Sequence, residues 1–315
     1  MYNGVINIYK EPGYTSFDVV AKLRGILKQK KIGHTGTLDP DAEGVLVVCL
    51  GKATKLCDIL TDKDKSYEAT MRLGMRTDTE DRTGKVLSEE PVTVSEKEAE
   101  DAILSFIGEY DQIPPMYSAI KINGKKLYEL AREGKEIERA PRKVIIHNIT
   151  ILSMDLPYVR FRVSCGKGTY IRSLCRDIGE KLGCGGIMEK LIRDSVNASE
   201  TGKTFSKEDA LLLRQVEELA ANQKLDSYIL PIDSMFPNLP ARTVTQEGNK
   251  KLSNGNLLLS SDFKKQSNDT HAEQESLKED ADGDKCLVYS ENNTFSAIYQ
   301  YHASINAWKA DKMFL

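Results

Sequence analysis

Gly33-His34-Thr35-Gly36-Thr37-Leu38-Asp39-Pro40 runs through Asp41-Ala42-Glu43-Gly44 into the apolar stretch Val45-Leu46-Val47-Val48-Cys49-Leu50. Six consecutive apolar residues read as a strand buried on both faces, the habit of a central strand in a sheet. The loop ahead of it is punctuated by glycines, which let a backbone approach another chain closely or adopt positive φ. Pro40 biases Asp39 toward extended geometry. A carboxylate is therefore held out on a stiff loop just ahead of a buried strand. Such an Asp either does catalysis or ligand binding, or closes an Asx-turn.

Outward from this segment, residues 1–9 alternate toward a strand, and Lys10-Glu11-Pro12-Gly13-Tyr14 is turn chemistry. Thr15 or Ser16 can cap a helix running to about Leu27, with Phe17, Val20, Leu23 and Leu27 at helical spacing. Further strands are expected at 66–75, Lys143–Met154 and Val159–Cys165, and helices at 95–107 and Ile171–Leu182. Strands and helices without strict βαβ alternation imply an α+β fold. Prolines cluster at Pro231, Pro237 and Pro240, marking a boundary. Residues 241–315 beyond it read as a small β-rich module, with residues 264–285, polar and acidic, as a disordered insertion.

The 315 residues suffice for one large domain and a small one. No apolar run approaches the roughly 18–20 residues that span a bilayer, and the N-terminus does not read as a signal peptide. The cytoplasm is the expected compartment, with no membrane partner. Cys49, Cys57, Cys165, Cys175, Cys184 and Cys286 form no C-x-x-C pair and are expected to be inert thiols. The net charge of −3 is misleading as an average. Residues 262–291 hold nine carboxylates against four cations, which leaves the rest of the chain at +2. Basic clusters recur at Lys28-Gln29-Lys30-Lys31, Lys121 with Lys125-Lys126, Arg139 with Arg142-Lys143, and Lys190 with Arg193. They suit either solvated faces or a phosphate-binding surface. No Walker A, dinucleotide, H-E-x-x-H or G-x-S-x-G motif is present, and Asp78-Thr79-Glu80-Asp81 lacks EF-hand spacing. Neither nucleotide-driven chemistry nor a protein-bound metal is expected.

Several blocks in order carry a family resemblance. G-H-T-G-T-L-D-P at 33–40, with Gly51-Lys52-Ala53-Thr54-Lys55, resembles the signature of the TruB family, the tRNA pseudouridine-55 synthases. Lys10 with Pro12-Gly13-Tyr14-Thr15-Ser16 is similar to the family's K-P-x-G-x-T-S, with Glu11 set before the proline. Tyr67, Arg72-Leu73-Gly74 and Thr77-Asp78-Thr79-Glu80-Asp81 resemble its Y-x-A…R-L-G-x-x-T-D-T-x-D. Pro114-Pro115-Met116-Tyr117-Ser118-Ala119-Ile120-Lys121 and Gly168-Thr169-Tyr170-Ile171-Arg172-Ser173-Leu174 resemble two more of its blocks. The tail, ending Lys312-Met313-Phe314-Leu315, resembles its small PUA-like RNA-binding domain.

The resemblance implies a pseudouridine-synthase core around a mixed or antiparallel sheet in residues 1–235, and a PUA-like domain in 236–315. It implies a monomer that flips uridine 55 out of the T stem-loop of tRNA and isomerises it without cofactor, metal or guide RNA. By the same resemblance Asp39 is the catalytic carboxylate, Arg172 its partner and Tyr67 the ring against the uracil. His34 is implied to fill the space the flipped base leaves. Lys10 and Lys121 are implied to support the pocket or contact RNA, and Leu191 with Arg193 to wall it. Asp194-Ser195-Val196-Asn197 depart from the family's R-T-x-x-G, so no contact is carried over there. The rival reading is a tRNA-folding chaperone or binding module on the same surface, alone or alongside catalysis.

Overall fold

The computed structural model describes residues 1–122, 124–198, 203–264 and 280–315. In chain order the larger part comprises β1 (Gly4–Lys10), α1 (Ser16–Leu27), β2 (Ile32–His34), β3 (Glu43–Leu50), α2 (Cys57–Thr61) and β4 (Asp64–Leu73). Next come β5 (Met75–Thr77), β6 (Val86–Glu89), α3 (Glu96–Leu104), β7 (Gly108–Gln112), β8 (Lys121–Ile122), β9 (Lys125–Lys126) and α4 (Leu127–Arg132). It closes with β10 (Arg142–Asp155), β11 (Tyr158–Cys165), α5 (Ile171–Lys181), β12 (Gly186–Ala198), β13 (Lys203–Ser206) and α6 (Leu213–Ala221).

The apolar run folds as β3, and Val45 through Leu50 are all essentially inaccessible to solvent. Each such side chain contributes about 1.5–3 kcal/mol by leaving water. Among the described residues nine strands make one sheet, ordered β1-β3-β12-β4-β11-β10-β7, with β2 on β3 and β13 on β12. The pairings are antiparallel except that of β12 with β3, which is parallel through Ile192–Glu43 and Arg193–Gly44. The mixed α+β architecture read from the sequence is therefore present.

β12 lies between β3 and β4 and carries register shifts at Met188/Lys190 and Arg193/Ser195. The second shift sits where the strand meets Gly44. That glycine has φ +108°, and a Cβ on it would stand 2.3 Å from the Arg193 carbonyl oxygen. Only glycine permits the two backbones this close approach.

α1 starts as its sequence predicts. Asp18 N–H donates to Thr15 Oγ1 at 3.0 Å, and Thr15 N–H donates to the Asp18 carboxylate at 2.8 Å. This reciprocal cap satisfies donors the first turn leaves open. α3 is shorter than expected. Phe106 and Ile107 N–H bond back to Ile103 and Leu104, three residues earlier, which tightens the last turn and ends the helix before residue 107.

The C-terminal part holds β14 (Ala241–Thr243), α7 (Gln246–Ser253), β15 (Lys285–Tyr289), β16 (Phe295–His302) and β17 (Ala307–Met313), the strands ordered β14-β15-β16-β17. The helix α7 interrupts what the sequence reads as β-rich. Leu287, Ile298 and Phe314 pack in one cluster with Val5, Val45 and Val47 of the large sheet. Of the segment 264–285, expected as a disordered insertion, residues 265–279 lie outside the described residues. Residues 280–285 are held. Asp280 pairs with Arg242 and accepts from Trp308 Nε1 at 3.2 Å, and Asp282 accepts from Ala303 N–H at 2.8 Å. A buried indole N–H needs such an acceptor, which fixes that end of the segment.

Gly44→Ala should cost roughly 2–4 kcal/mol, through positive φ and the clash with Arg193. Urea unfolding measures it, and an unchanged midpoint would contradict the close-approach account.

Candidate active site

Hydrogen bonds from several elements pin the backbone of residues 35–42 on both sides of Asp39. Thr35 N–H donates to Val47 O at 3.1 Å, and Leu38 N–H donates to Ser16 Oγ at 2.9 Å. Gly13 N–H donates to Pro40 O, and Ala42 N–H closes a turn on Asp39 O. Lys10 Nζ donates to the carbonyls of Pro40 (2.9 Å), Ala42 (2.5 Å) and Glu11 (3.2 Å). Lys10 is fully buried and spends its ammonium on these three oxygens. It supports the loop, and the reading of Lys10 as an RNA contact is corrected: no N–H is left to reach a ligand. Burial pulls its pKa down to about 8, against the opposing pull of Asp39.

The Asp39 carboxylate is about one-third exposed and meets Arg172, from the first turn of α5, in a two-pronged contact. Arg172 Nε lies 2.9 Å from Oδ2, and Nη2 lies 3.1 Å from Oδ1. The pair combines a charge-assisted hydrogen bond through Nη2 with a close ionic contact through Nε. Arg172 is buried. Two of its three remaining hydrogens go to Thr79 O at 3.1 Å and Tyr117 O at 2.9 Å, and Asp81 stands 4.0 Å from Nε. The loop supplying Thr79 and Asp81 is itself docked. Met188 N–H donates to Glu80 O, Arg82 N–H donates to Met188 O, and Ser173 Oγ donates to the Glu80 carboxylate at 2.8 Å. Arg82 bridges back to Asp41, beside Asp39, at 3.0 Å.

Tyr67 on β4 is buried in the cluster that contains Leu38 and Leu191. Burial pushes its phenol up to about 12, with nearby Arg193 acting in the opposite direction. Arg193 is 2% exposed, and its guanidinium donates to Val45 O at 2.6 Å and Gly36 O at 3.2 Å. The parallel contact of β12 with β3 places it there. His34 is half-buried, and its Nδ1 accepts from Gly36 N–H at 3.3 Å. Burial, then Arg193, holds the imidazole below its usual range, which favours its uncharged form. Burial and Arg193 likewise lower Lys65, on the same strand face as Tyr67, to about 8.

The structure thus gathers Asp39, Arg172, Tyr67, His34, Lys10, Leu191 and Arg193. Lys121 stands apart, exposed on the β8–β9 ribbon. The sequence reading assigns no role to Asp81 or Lys65. The acidic block Thr77–Asp81 is the available signal for Asp81, and period-two spacing from Tyr67 is the signal for Lys65. Among the described residues no cluster of His, Cys, Asp and Glu could hold a metal ion.

Comparison with known proteins adds an independent line. Residues 24–171 match the TruB family pseudouridylate synthase N-terminal domain, and residues 172–237 match the tRNA pseudouridylate synthase B C-terminal domain. The first match contains Asp39 and Tyr67, and the second contains Arg172, Leu191 and Arg193. The chain is 53% identical over 321 residues to tRNA pseudouridine synthase B of Lachnoclostridium phytofermentans, covering 99% of this chain and all of that one. It is 50% identical to the protein of the same name from Alkaliphilus oremlandii, over 82% of this chain and 83% of the relative. A chain in the crystal structure of a Cbf5–Nop10–Gar1 complex superposes with a TM-score of 0.67 at 26% identity, covering 99% of this chain and 85% of that one.

Lys10→Met should leave the carbonyl oxygens of Glu11 and Ala42 without this donor, Pro40 O keeping only Gly13 N–H, and cost roughly 2 kcal/mol or more in urea unfolding; a change under about 0.5 kcal/mol would contradict the account. A second prediction follows from Tyr67. The folded state holds the phenol proton past the pH at which the unfolded chain releases it. Stability should therefore fall as pH rises above about 10. The difference in 295 nm absorbance titration between wild type and Tyr67→Phe should show no phenolate below about pH 10.5. Phenolate appearing near the free-tyrosine value would refute the burial argument.

Proposed function

The chain belongs to the TruB family of pseudouridylate synthases and isomerises uridine to pseudouridine in tRNA; we propose that its target is uridine 55 of the T loop and that Asp39 drives the reaction. The observation that carries this reading is the two-pronged Asp39–Arg172 pair, partly open to solvent, beside the buried ring of Tyr67.

The reaction breaks N1–C1′, turns the uracil and joins C5 to C1′. The C5 proton leaves and N1 gains one, so nothing is oxidised and no co-substrate is consumed. Both available routes use an ionised carboxylate at position 39. In one, an oxygen of Asp39 adds to the nucleoside; in the other, it removes a sugar proton. Arg172 fixes the direction of that carboxylate. Tyr67, kept protonated, offers a ring to the uracil and a hydroxyl that can donate. Leu191 closes the apolar wall, and neutral His34 fills the gap left by the flipped base without desolvating a charge. Flipping costs a few kcal/mol, least in an unpaired loop. Arg193 and exposed Lys121 supply positive charge toward the RNA. Residues 236–315 serve as a PUA-like RNA-binding domain on the catalytic domain of 1–235. The enzyme acts as a monomer on bare tRNA, without guide RNA, in the cytoplasm. No helix among the described residues is long and apolar enough to cross a membrane.

Release of tritium from tRNA labelled at uracil C5 tests this directly. Wild type should release it, and Asp39→Asn should release it at least ~1,000-fold more slowly while still binding tRNA. Equal release by both would move the chemistry to another residue. Release from a tRNA lacking uridine 55 would move the target. Tight binding with no release by wild type would favour a tRNA-folding role.

A further inference from the structure

Phe17 is 63% exposed on the first turn of α1, although the core face of that helix, Val19, Val20 and Leu23, is complete without it. A lone exposed apolar side chain is ordinary. Three features set this one apart.

The first is place. Its neighbour Ser16 accepts the Leu38 N–H, one residue before Asp39. Arg24, a helical neighbour on the same flank, donates to Ile32 O at 3.4 Å. The flank bearing Phe17 and Arg24 is therefore laid along residues 32–38, the approach to the pocket. The second feature is geometry. The Arg24 guanidinium sits 5.6 Å from the Phe17 ring centroid, which steadies the ring against the helix and leaves most of its surface in solvent. The third is charge. Residues 14–31 hold five cations and one carboxylate, in a chain whose net charge is −3. That carboxylate, Asp18, is committed to the helix cap. A cationic surface bearing an exposed, steadied aromatic ring is how proteins hold unpaired nucleotides: phosphates follow the charge and bases stack on the ring. A protein partner would need a contiguous apolar patch. Phe17 is the only large exposed hydrophobic residue on α1.

We propose that α1 is a second RNA-contact surface outside the pocket, on which Phe17, backed by Arg24, stacks an unpaired base of the tRNA. The proposal rests on the tRNA reading above and extends it to a residue just beyond the K-P-x-G-x-T-S block that ends at Ser16.

Filter binding of full-length tRNA at fixed salt tests it. Phe17→Ala should weaken binding roughly 10-fold, the typical loss of one stacked base. Phe17→Trp should stay within about threefold of wild type, because it keeps a π-face. Phe17→Leu should lose as much as Phe17→Ala. Because the side chain is exposed, all three variants should keep the wild-type thermal midpoint. Phe17→Ala within about twofold of wild type would overturn the proposal, as would Phe17→Leu binding like wild type, which would make the contact merely apolar. Tritium release by wild type tests the isomerase reading separately. Failure there with the binding losses intact would leave the platform standing, and the converse result would remove the platform alone.

Discussion

A guanidinium taken out of water must be met on every side, and the surroundings of Arg172 are built to do this. One carboxylate, two carbonyls and a second carboxylate at longer range surround it. Removing one partner of such a group costs several kcal/mol, because the other charge is left buried and unpaired. The requirement runs outward from there. Thr79 and Asp81 can serve Arg172 only while Glu80 is tied to α5 and Met188. Asp39 can serve it only while Lys10 and Ser16 grip the backbone on either side of the loop. The ion pair is thus the point at which three loops, two helices and two strands are made mutually dependent.

The electrostatics around this point are uneven. Lys10, Lys65, Arg193 and Arg172 crowd a small region, with Asp39, Asp41, Glu43, Asp64 and Asp81 among the carboxylates around them. The depressed pKa values of Lys10 and Lys65 and the neutral imidazole of His34 express that crowding together with burial. Such a concentration of positive charge is tolerable in a site meant for a polyanion, whose phosphates offset it on binding. The whole-chain charge conceals this, because the acidic excess lies far along the sequence, in residues 262–291.

Much of this is legible in the sequence, and the misses have physical reasons. The strand Val45–Leu50 announces itself by unbroken apolarity, and the start of α1 by Thr15 or Ser16 ahead of its apolar spacing. β12 is not among the strands the sequence predicts, although it forms the middle of the sheet. Its register shifts break the period-two signal at Met188/Lys190 and Arg193/Ser195, and those same irregularities help set Arg193 against Gly44. Lys10 reads equally well as a loop support or a ligand contact, since sequence does not report which carbonyls lie within reach of an ammonium. Asp81 is visible within a motif but without a role, because its role exists only through Arg172, far along the chain. Phe17 reads as part of the helix's apolar spacing, and only the fold reveals it in solvent.

The order of the strands bears on how the molecule is made. β3 and β4 are synthesised early, yet the strand that joins them, β12, is among the last of the large sheet to leave the ribosome. Until it arrives, β3 and β4 each present an unpaired edge, and neither Arg172 nor Arg193 is in place. Non-local pairing of this kind is slow and leaves aggregation-prone edges open in the meantime. The sheet that carries the pocket cannot close before residues 186–198 have been made. The Asp39 loop, the two halves of the sheet and the guanidinium of Arg193 all meet at this one late strand.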